Sequence, residues 1–211
     1  MPTPEPIRKI SSEYLAKALS YETYKQLITD LFARGQSTNP QPSEALTHYS
    51  QLNLQRMHRL DKTTEISPEI RQQLAQPVRP QTWLVLTEGW CGDAAQSIPV
   101  MEALARLNPD ITLRYLLRDQ NLELMDQHLT NGVSRSIPKL IAVDNATGEE
   151  LFSWGPRPAA LQELFYKMKA DGMPFDNIKE ELQRWYNKDK TQSIQQELAT
   201  LVASFSGAAR A

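Results

Sequence analysis

The run Trp83-Leu84-Val85-Leu86-Thr87 constrains this chain most. It is apolar, β-prone, too short for a helix and without alternation, which suits a strand buried on both faces. Everything before Pro80 reads differently. From Ser12 to Phe32, Leu15, Leu19, Tyr24, Leu27, Ile28 and Leu31 recur at helical spacing and predict one or two amphipathic helices. Gly35 to Pro42 has the Gly, Pro and Asn content of a loop, and Ser43 is a natural N-cap. The helix it opens is expected to reach about Leu60, burying Leu46, Tyr49, Leu52 or Leu54, Met57 and Leu60. Ser67-Pro68-Glu69 predicts a further short helix through Leu74. At 211 residues the chain can bury a core without staples, as one domain with extensions or two small ones.

Directly after the apolar run comes Trp90-Cys91-Gly92-Asp93-Ala94, which carries the only cysteine. Ala94, Ile98, Met101, Leu104, Ala105 and Leu107 then mark a helix from Asp93 to Leu107, with a kink expected at Pro99. Ile111–Leu117 reads as a strand. Leu122, Leu124, Met125 and Leu129 form the apolar side of a short helix ending near Asn131-Gly132. This strand–helix–strand–helix order argues for a parallel pair with a crossover. After Ile137-Pro138, residues Lys139–Val143 and Glu150–Trp154 flank a turn at Asp144–Gly148 and predict an antiparallel hairpin. A helix from Ala159 to Ala170 follows. Ile178, Leu182, Trp185 and Tyr186, then Ile194, Leu198, Leu201, Val202 and Phe205, make the tail helical, with Ser206–Ala211 frayed.

With 23 basic and 25 acidic residues the net charge is −2, which gives no electrostatic reason to expect nucleic acid or an anionic membrane as partner. Met1–Pro6 lacks the basic start and apolar run of a signal peptide, and no stretch approaches a membrane span. A cytoplasmic protein is expected, since one unpaired cysteine fits a reducing compartment. His48, His58 and His128 show no metal-ligand spacing and read as solvated; no metal and no cofactor is expected. Arg114, Arg118 and Arg135, near strand ends, read as solvated charges.

Strand, Trp90-Cys91-Gly92, a helix containing proline, a βα unit, then Ile137-Pro138 before a hairpin and a last helix together resemble the thioredoxin superfamily. The Trp-Cys-Gly-Asp wording, with Arg135-Ser136-Ile137-Pro138-Lys139, is similar to a bacterial thioredoxin-like subgroup. The resemblance covers roughly Gln81 to Ala170. It implies an α/β thioredoxin-like fold, a central mixed sheet flanked by helices. The expected organisation is a helical N-terminal extension over 1–78, the thioredoxin-like domain over 79–172 and a helical C-terminal extension over 173–211. It also implies that Pro138 follows a cis peptide bond beside the thiol and that Ile137 offers its backbone to an extended substrate. Trp90 would supply a flat apolar surface, Gly92 clearance and Asp93 a nearby charge, with Cys91 as the catalytic residue.

Two departures narrow that reading. The position of a second, resolving cysteine holds Ala94, and the position of a buried carboxylate on the first strand falls on Val85. Cys91 at a helix N-terminus faces backbone N–H groups that favour thiolate, whereas Glu88 and Asp93 oppose it; the expected pKa lies in the upper part of the range of roughly 3.5 to 7.5 for such cysteines. One reading is therefore a monothiol that attacks a protein disulfide, a glutathione mixed disulfide or a peroxide and depends on an external resolving thiol. The alternative is a non-catalytic module that docks an extended peptide between Trp90 and Pro138. A third has the terminal helices building a homodimer. A Cys/His nucleophile would require His128, the one histidine inside the resembling region, beside Cys91.

Overall fold

The computed structural model describes residues 8–205. Its helices are α1 (Ser12–Lys17), α2 (Tyr21–Ala33), α3 (Glu44–Thr63), α4 (Pro68–Leu74), α5 (Gly92–Ala105), α6 (Leu122–Asp126), α7 (Ala159–Ala170), α8 (Phe175–Asp189) and α9 (Gln192–Phe205). Its strands are β1 (Gln81–Thr87), β2 (Ile111–Leu117), β3 (Lys139–Asp144) and β4 (Glu150–Trp154), in the order β2-β1-β3-β4. β1 runs parallel to β2 and antiparallel to β3, and β3–β4 is an antiparallel hairpin. This is a mixed sheet flanked by helices, the thioredoxin-like arrangement. The Met1–Pro6 reading and the frayed tail at Ser206–Ala211 lie outside the described residues.

β1 is central, paired on both sides, and Trp83, Leu84, Val85 and Leu86 have no exposed surface. That burial on both faces is why the run lacks alternation. Ser43 and Ser67 accept hydrogen bonds from the Leu46 and Ile70 N–H groups, capping α3 and α4 as the sequence suggests. α3 buries Met57 and Leu60 as expected, but the rest of its inward face is polar. Ser50, Asn53, Met57 and Leu60 are buried, while Leu46, Tyr49, Leu52 and Leu54 are only half-buried. Both inward polar residues are satisfied by backbone, Ser50 donating to the Leu46 carbonyl one turn back on α3 and Asn53 to that of Gly89. α6 is also shorter than expected; beyond Asp126 the chain turns through Asn131 and Gly132, both at positive φ.

The terminal segments share the core of the sheet. Tyr21, Tyr24, Ile28 and Met57 join one apolar cluster with the β1 side chains and with Ile178, Leu182, Ile194 and Leu198. Tyr24 stacks on Tyr115 of β2 with ring centroids 5.2 Å apart. The N-terminal strand-like residues also blunt both sheet edges. Leu19 exchanges backbone hydrogen bonds with Tyr115 on β2, and the Glu150 N–H bonds to the Arg8 carbonyl on the β4 side. Covering those edges removes ready templates for pairing with another chain.

Candidate functional site

β1 delivers the chain into Glu88-Gly89-Trp90-Cys91, and Cys91 is the N-cap of α5. The tight glycine here is Gly89: a Cβ would lie 2.9 Å from Ile28 Cγ1, so α2 packs directly on the motif's backbone. At Gly92 a Cβ would meet only Arg56 Nη1, at 3.6 Å, an ordinary contact. Opposite the motif, the Ile137–Pro138 bond is cis, and the Cys91 thiol donates to the Ile137 carbonyl at 3.3 Å. The sequence-selected residues Cys91, Ile137 and Pro138 thus meet at the carboxyl end of β1 and the start of β3.

The thiol is shut in, with Cys91 8% exposed. Burial pushes its pKa up from the usual 9.0 to about 12, and the Asp93 carboxylate adds to the rise. The Ala94 N–H, the Arg157 guanidinium and the Asp93 N–H all favour thiolate but do not offset burial. The expected depressed pKa is therefore corrected: the helix N-terminus is present, but desolvation of the charged form outweighs it.

Asp93 is the hub of the roof. Its Oδ2 pairs with Arg157 Nη2 at 2.7 Å, and its Oδ1 accepts from the Tyr186 hydroxyl at 2.9 Å. Burial raises its pKa, opposed first by Arg157, then by the Tyr186 hydrogen bond and by Arg56. Arg157 leaves β4 between two prolines, just after the cis Gly155–Pro156 bond, and its guanidinium lies 4.2 Å from the Phe165 ring centroid. Gly155 has φ 113°, and a Cβ there would fall 2.2 Å from the Pro138 carbonyl oxygen, so only glycine lets this loop pass the Pro138 backbone. Trp90 is half-buried with the Arg118 guanidinium 5.1 Å from its ring centre, and its Nε1 is buried without a partner. Arg118 in turn bonds to Asp119 and to the Arg135 carbonyl, so it is held rather than free in solvent. Arg135 itself makes a two-pronged surface pair with Asp126.

A buried carboxylate does sit beneath the motif, three residues past the aligned position Val85. Glu88 has no exposed surface; it accepts from the Asp119 N–H at 2.9 Å and from the Thr38 hydroxyl. Thr38 also accepts from the Gly89 N–H, at 3.0 Å. Burial raises Glu88 to about 7, against the Asp119 and Thr38 hydrogen bonds. Both Glu88 and Cys91 lie close enough to the Tyr24 hydroxyl that a charge on either raises its pKa.

His128 is also corrected. It is 4% exposed, with Nδ1 2.9 Å from the Leu124 carbonyl and Nε2 3.0 Å from Glu150. Both ring nitrogens are engaged there, so it is neither solvated nor the base of a Cys/His pair. His48 and His58 are exposed. Among the described residues no cluster of His, Cys, Asp and Glu could hold a metal ion, and no helix is long and apolar enough to cross a membrane.

Sequence reasoning missed Thr38, Asn53, Arg56, Arg157 and Tyr186. Asn53 donates to the Gly89 carbonyl at 3.0 Å and accepts from Arg56 at 3.0 Å. Its signal was a polar residue in helical phase with Met57 and Leu60, which an apolar-only stripe passes over. Tyr186 was visible only as a member of an apolar stripe.

A family model described as Thioredoxin matches residues 39–171, more than half of the chain. Among solved structures, a protein of unknown function from Pseudomonas aeruginosa superposes with a TM-score of 0.59 at 14% identity, covering 93% of this chain and 99% of that one. An HIV epitope-scaffold gives a TM-score of 0.58 at 15% identity, covering 92% and 97%. At such identities the likeness is one of fold, and it extends through the terminal helices. No curated protein matches the sequence. A Trp-Cys-Gly motif at the end of a central strand, beside Ile137-Pro138 at the start of the adjacent strand, and a matching family model over the whole sheet lead to one assignment: the chain belongs to the thioredoxin family.

Proposed function

We propose that this protein is a thioredoxin-fold binding module, in which the family's frame is kept and its redox pair is not. The observation that carries this reading is the setting of the sole thiol: Cys91 is buried and hydrogen-bonded to the Ile137 carbonyl, with Ala94 where a resolving cysteine would stand. At pH 7 a thiol near 12 is thiolate in only about one molecule in 10⁵, which leaves little nucleophile for exchange. The partner is an extended protein segment docking at the half-buried Trp90, with Ile137 and Pro138 buried behind it and the sheet edges already bridged by Lys9 and Leu19. In this reading the helical segments 1–78 and 173–211 are extensions that frame the 79–172 domain. The protein sits in the Trp-Cys-Gly-Asp bacterial subgroup and works in the cytoplasm.

A monothiol exchange is the second reading, favoured by the Asp93 and Ala94 N–H groups and Arg157, which together would stabilise a thiolate once it is uncovered. The thiolate would attack a glutathione mixed disulfide, taking up the glutathionyl sulfur and releasing the protein thiolate, which gains a proton. An external thiol would then free Cys91. The two readings part in one experiment: iodoacetamide alkylation of the folded protein at pH 7, with disulfide reduction and deglutathionylation assayed in parent and Cys91→Ser. The module predicts slow alkylation and equal, background turnover. Fast alkylation with activity lost in Cys91→Ser would establish the monothiol instead.

A further inference from the structure

Glu88, with no exposed surface, ties together three segments around the Trp90 motif. Its Oε1 accepts from the Asp119 N–H at 2.9 Å and its Oε2 from the Thr38 hydroxyl, while Thr38 Oγ1 itself accepts from the Gly89 N–H at 3.0 Å. The short turn that supplies the Asp119 N–H, Arg118–Gln120, also carries the guanidinium that lies over Trp90. Arg118 Nη2 pairs with Asp119 Oδ1 at 2.7 Å, and its Cζ stands 5.1 Å from the Trp90 ring centre. The buried carboxylate is thus one hydrogen bond away from the turn that seats a cation on the half-buried indole.

The proton on Glu88 decides which way these bonds run. As a carboxylate it only accepts, so the Asp119 N–H and the Thr38 O–H both point at it. Hydrogen bonds to an ionised acceptor are roughly twice as strong as neutral ones, and the negative charge also attracts Arg118. A proton taken up from solvent fits on Oε2, because Oε1 faces an N–H that cannot accept. The Thr38–Glu88 bond then reverses: Oε2 donates, Thr38 Oγ1 accepts from both Glu88 and Gly89, and the Thr38 hydrogen turns elsewhere. Space for it lies alongside, since Thr38, Asp119 and Gln120 line a cleft of about 620 Å³. Of the other groups facing this spot, Asp119 and Arg118 are paired with each other. Tyr24 from α2 and Cys91 from the motif are raised by burial, so both stay neutral near pH 7.

We propose that Glu88 is a proton switch beneath the Trp90 face: as a carboxylate it holds the Arg118–Gln120 turn and keeps Arg118 seated on Trp90, and on protonation it weakens that hold and loosens the seat. The consequence of the switch, though not its geometry, rests on the binding-module reading. A partner segment meets an ordered Trp90–Arg118 face when Glu88 is charged. When Glu88 is neutral the face is looser and has to be ordered on binding, which weakens docking. Burial raises Glu88 to about 7, so the change falls where cellular pH varies.

The test needs no partner. Protein made with 5-fluorotryptophan gives a fluorine resonance for each of its 4 tryptophans, and Trp90→Phe identifies that of Trp90. In the parent the Trp90 resonance should move between about pH 5.5 and about pH 8.5 with a single midpoint at about 7. In Glu88→Gln, which places a neutral amide between the same partners, it should stay at the parent's acid-side position at every pH. Thr38→Val removes the donor to the carboxylate and should raise the midpoint by about one pH unit, the difference between a charge-assisted and a neutral hydrogen bond. That second variant decides the matter even if Glu88→Gln does not fold. A Trp90 resonance that does not titrate, one that titrates equally in Glu88→Gln, or a midpoint unmoved in Thr38→Val overturns the switch. Each of these leaves the binding-module reading standing, since that reading falls instead to fast Cys91 alkylation with Cys91-dependent turnover.

Discussion

Titrating the buried thiol through the protein's stability offers a test that needs no substrate. Folding moves the Cys91 pKa from about 9 to about 12, so the folded state holds a proton that the unfolded chain releases first. Below about pH 9 both states are protonated and the extra affinity for the proton is fully present. As pH rises from about 9 to about 12, stability is lost at about 1.4 kcal/mol per pH unit, about 4 kcal/mol over the whole interval. At pH 10 the unfolded thiol is about nine-tenths ionised, and the loss is about 1.4 kcal/mol. Tyr21, Tyr24, Tyr115 and Tyr186 are also raised by burial and destabilise the fold at high pH, so the parent alone is not diagnostic. The difference between parent and Cys91→Ala isolates the thiol, because the small cavity left by the substitution gives a pH-independent offset. Urea unfolding followed by tryptophan fluorescence at pH 7 and pH 10, at fixed ionic strength, should show the parent losing about 1.4 kcal/mol more than the variant. A constant difference would mean an ordinary thiol. A difference that moves in the parent's favour would mean a stabilised thiolate, and either result refutes the argument from burial.

Glu88→Gln should mimic the neutral carboxyl, its carbonyl accepting from the Asp119 N–H and its amide donating to Thr38. Because the Glu88 pKa is raised to about 7, the parent should lose roughly 2 kcal/mol relative to this variant between pH 5 and pH 7, and a flat difference in urea midpoints counts against it. Gly155→Ala forces a Cβ onto the Pro138 carbonyl at positive φ, which should cost more than about 3 kcal/mol; a loss below about 1 kcal/mol would show that the loop can move aside.

The elements that could be read along the chain are those governed by local signals. β1 announced itself by an apolar run without alternation, α3 and α4 by Ser43 and Ser67, and the β3–β4 hairpin by its polar turn. Phase was harder. On α3, Met57 and Leu60 are buried as their spacing indicates, but Ser50 and Asn53 share that face, the Asn53 amide held by the Gly89 carbonyl of a distant segment. The tail read as helical throughout, whereas it breaks at Lys190 and Thr191, where no glycine or proline marks the joint. His128 looked solvated because its partners, the Leu124 carbonyl and Glu150, stand on different elements.

The βαβα–ββα order, the thioredoxin resemblance, the single thiol at a helix start and the missing second cysteine at Ala94 are all written along the chain. Those follow from periodicity, capping and residue identity, which act over a few neighbours. The character of that thiol, by contrast, emerges with the folded packing around it. Its charge state depends on how much water is excluded from Cys91, which lies buried against the Ile137 carbonyl, and on Asp93, whose charge is held by Arg157 and Tyr186 from far along the chain. Desolvation is a property of the assembled surroundings, and here it outweighs the helix N-terminus that the motif alone displays.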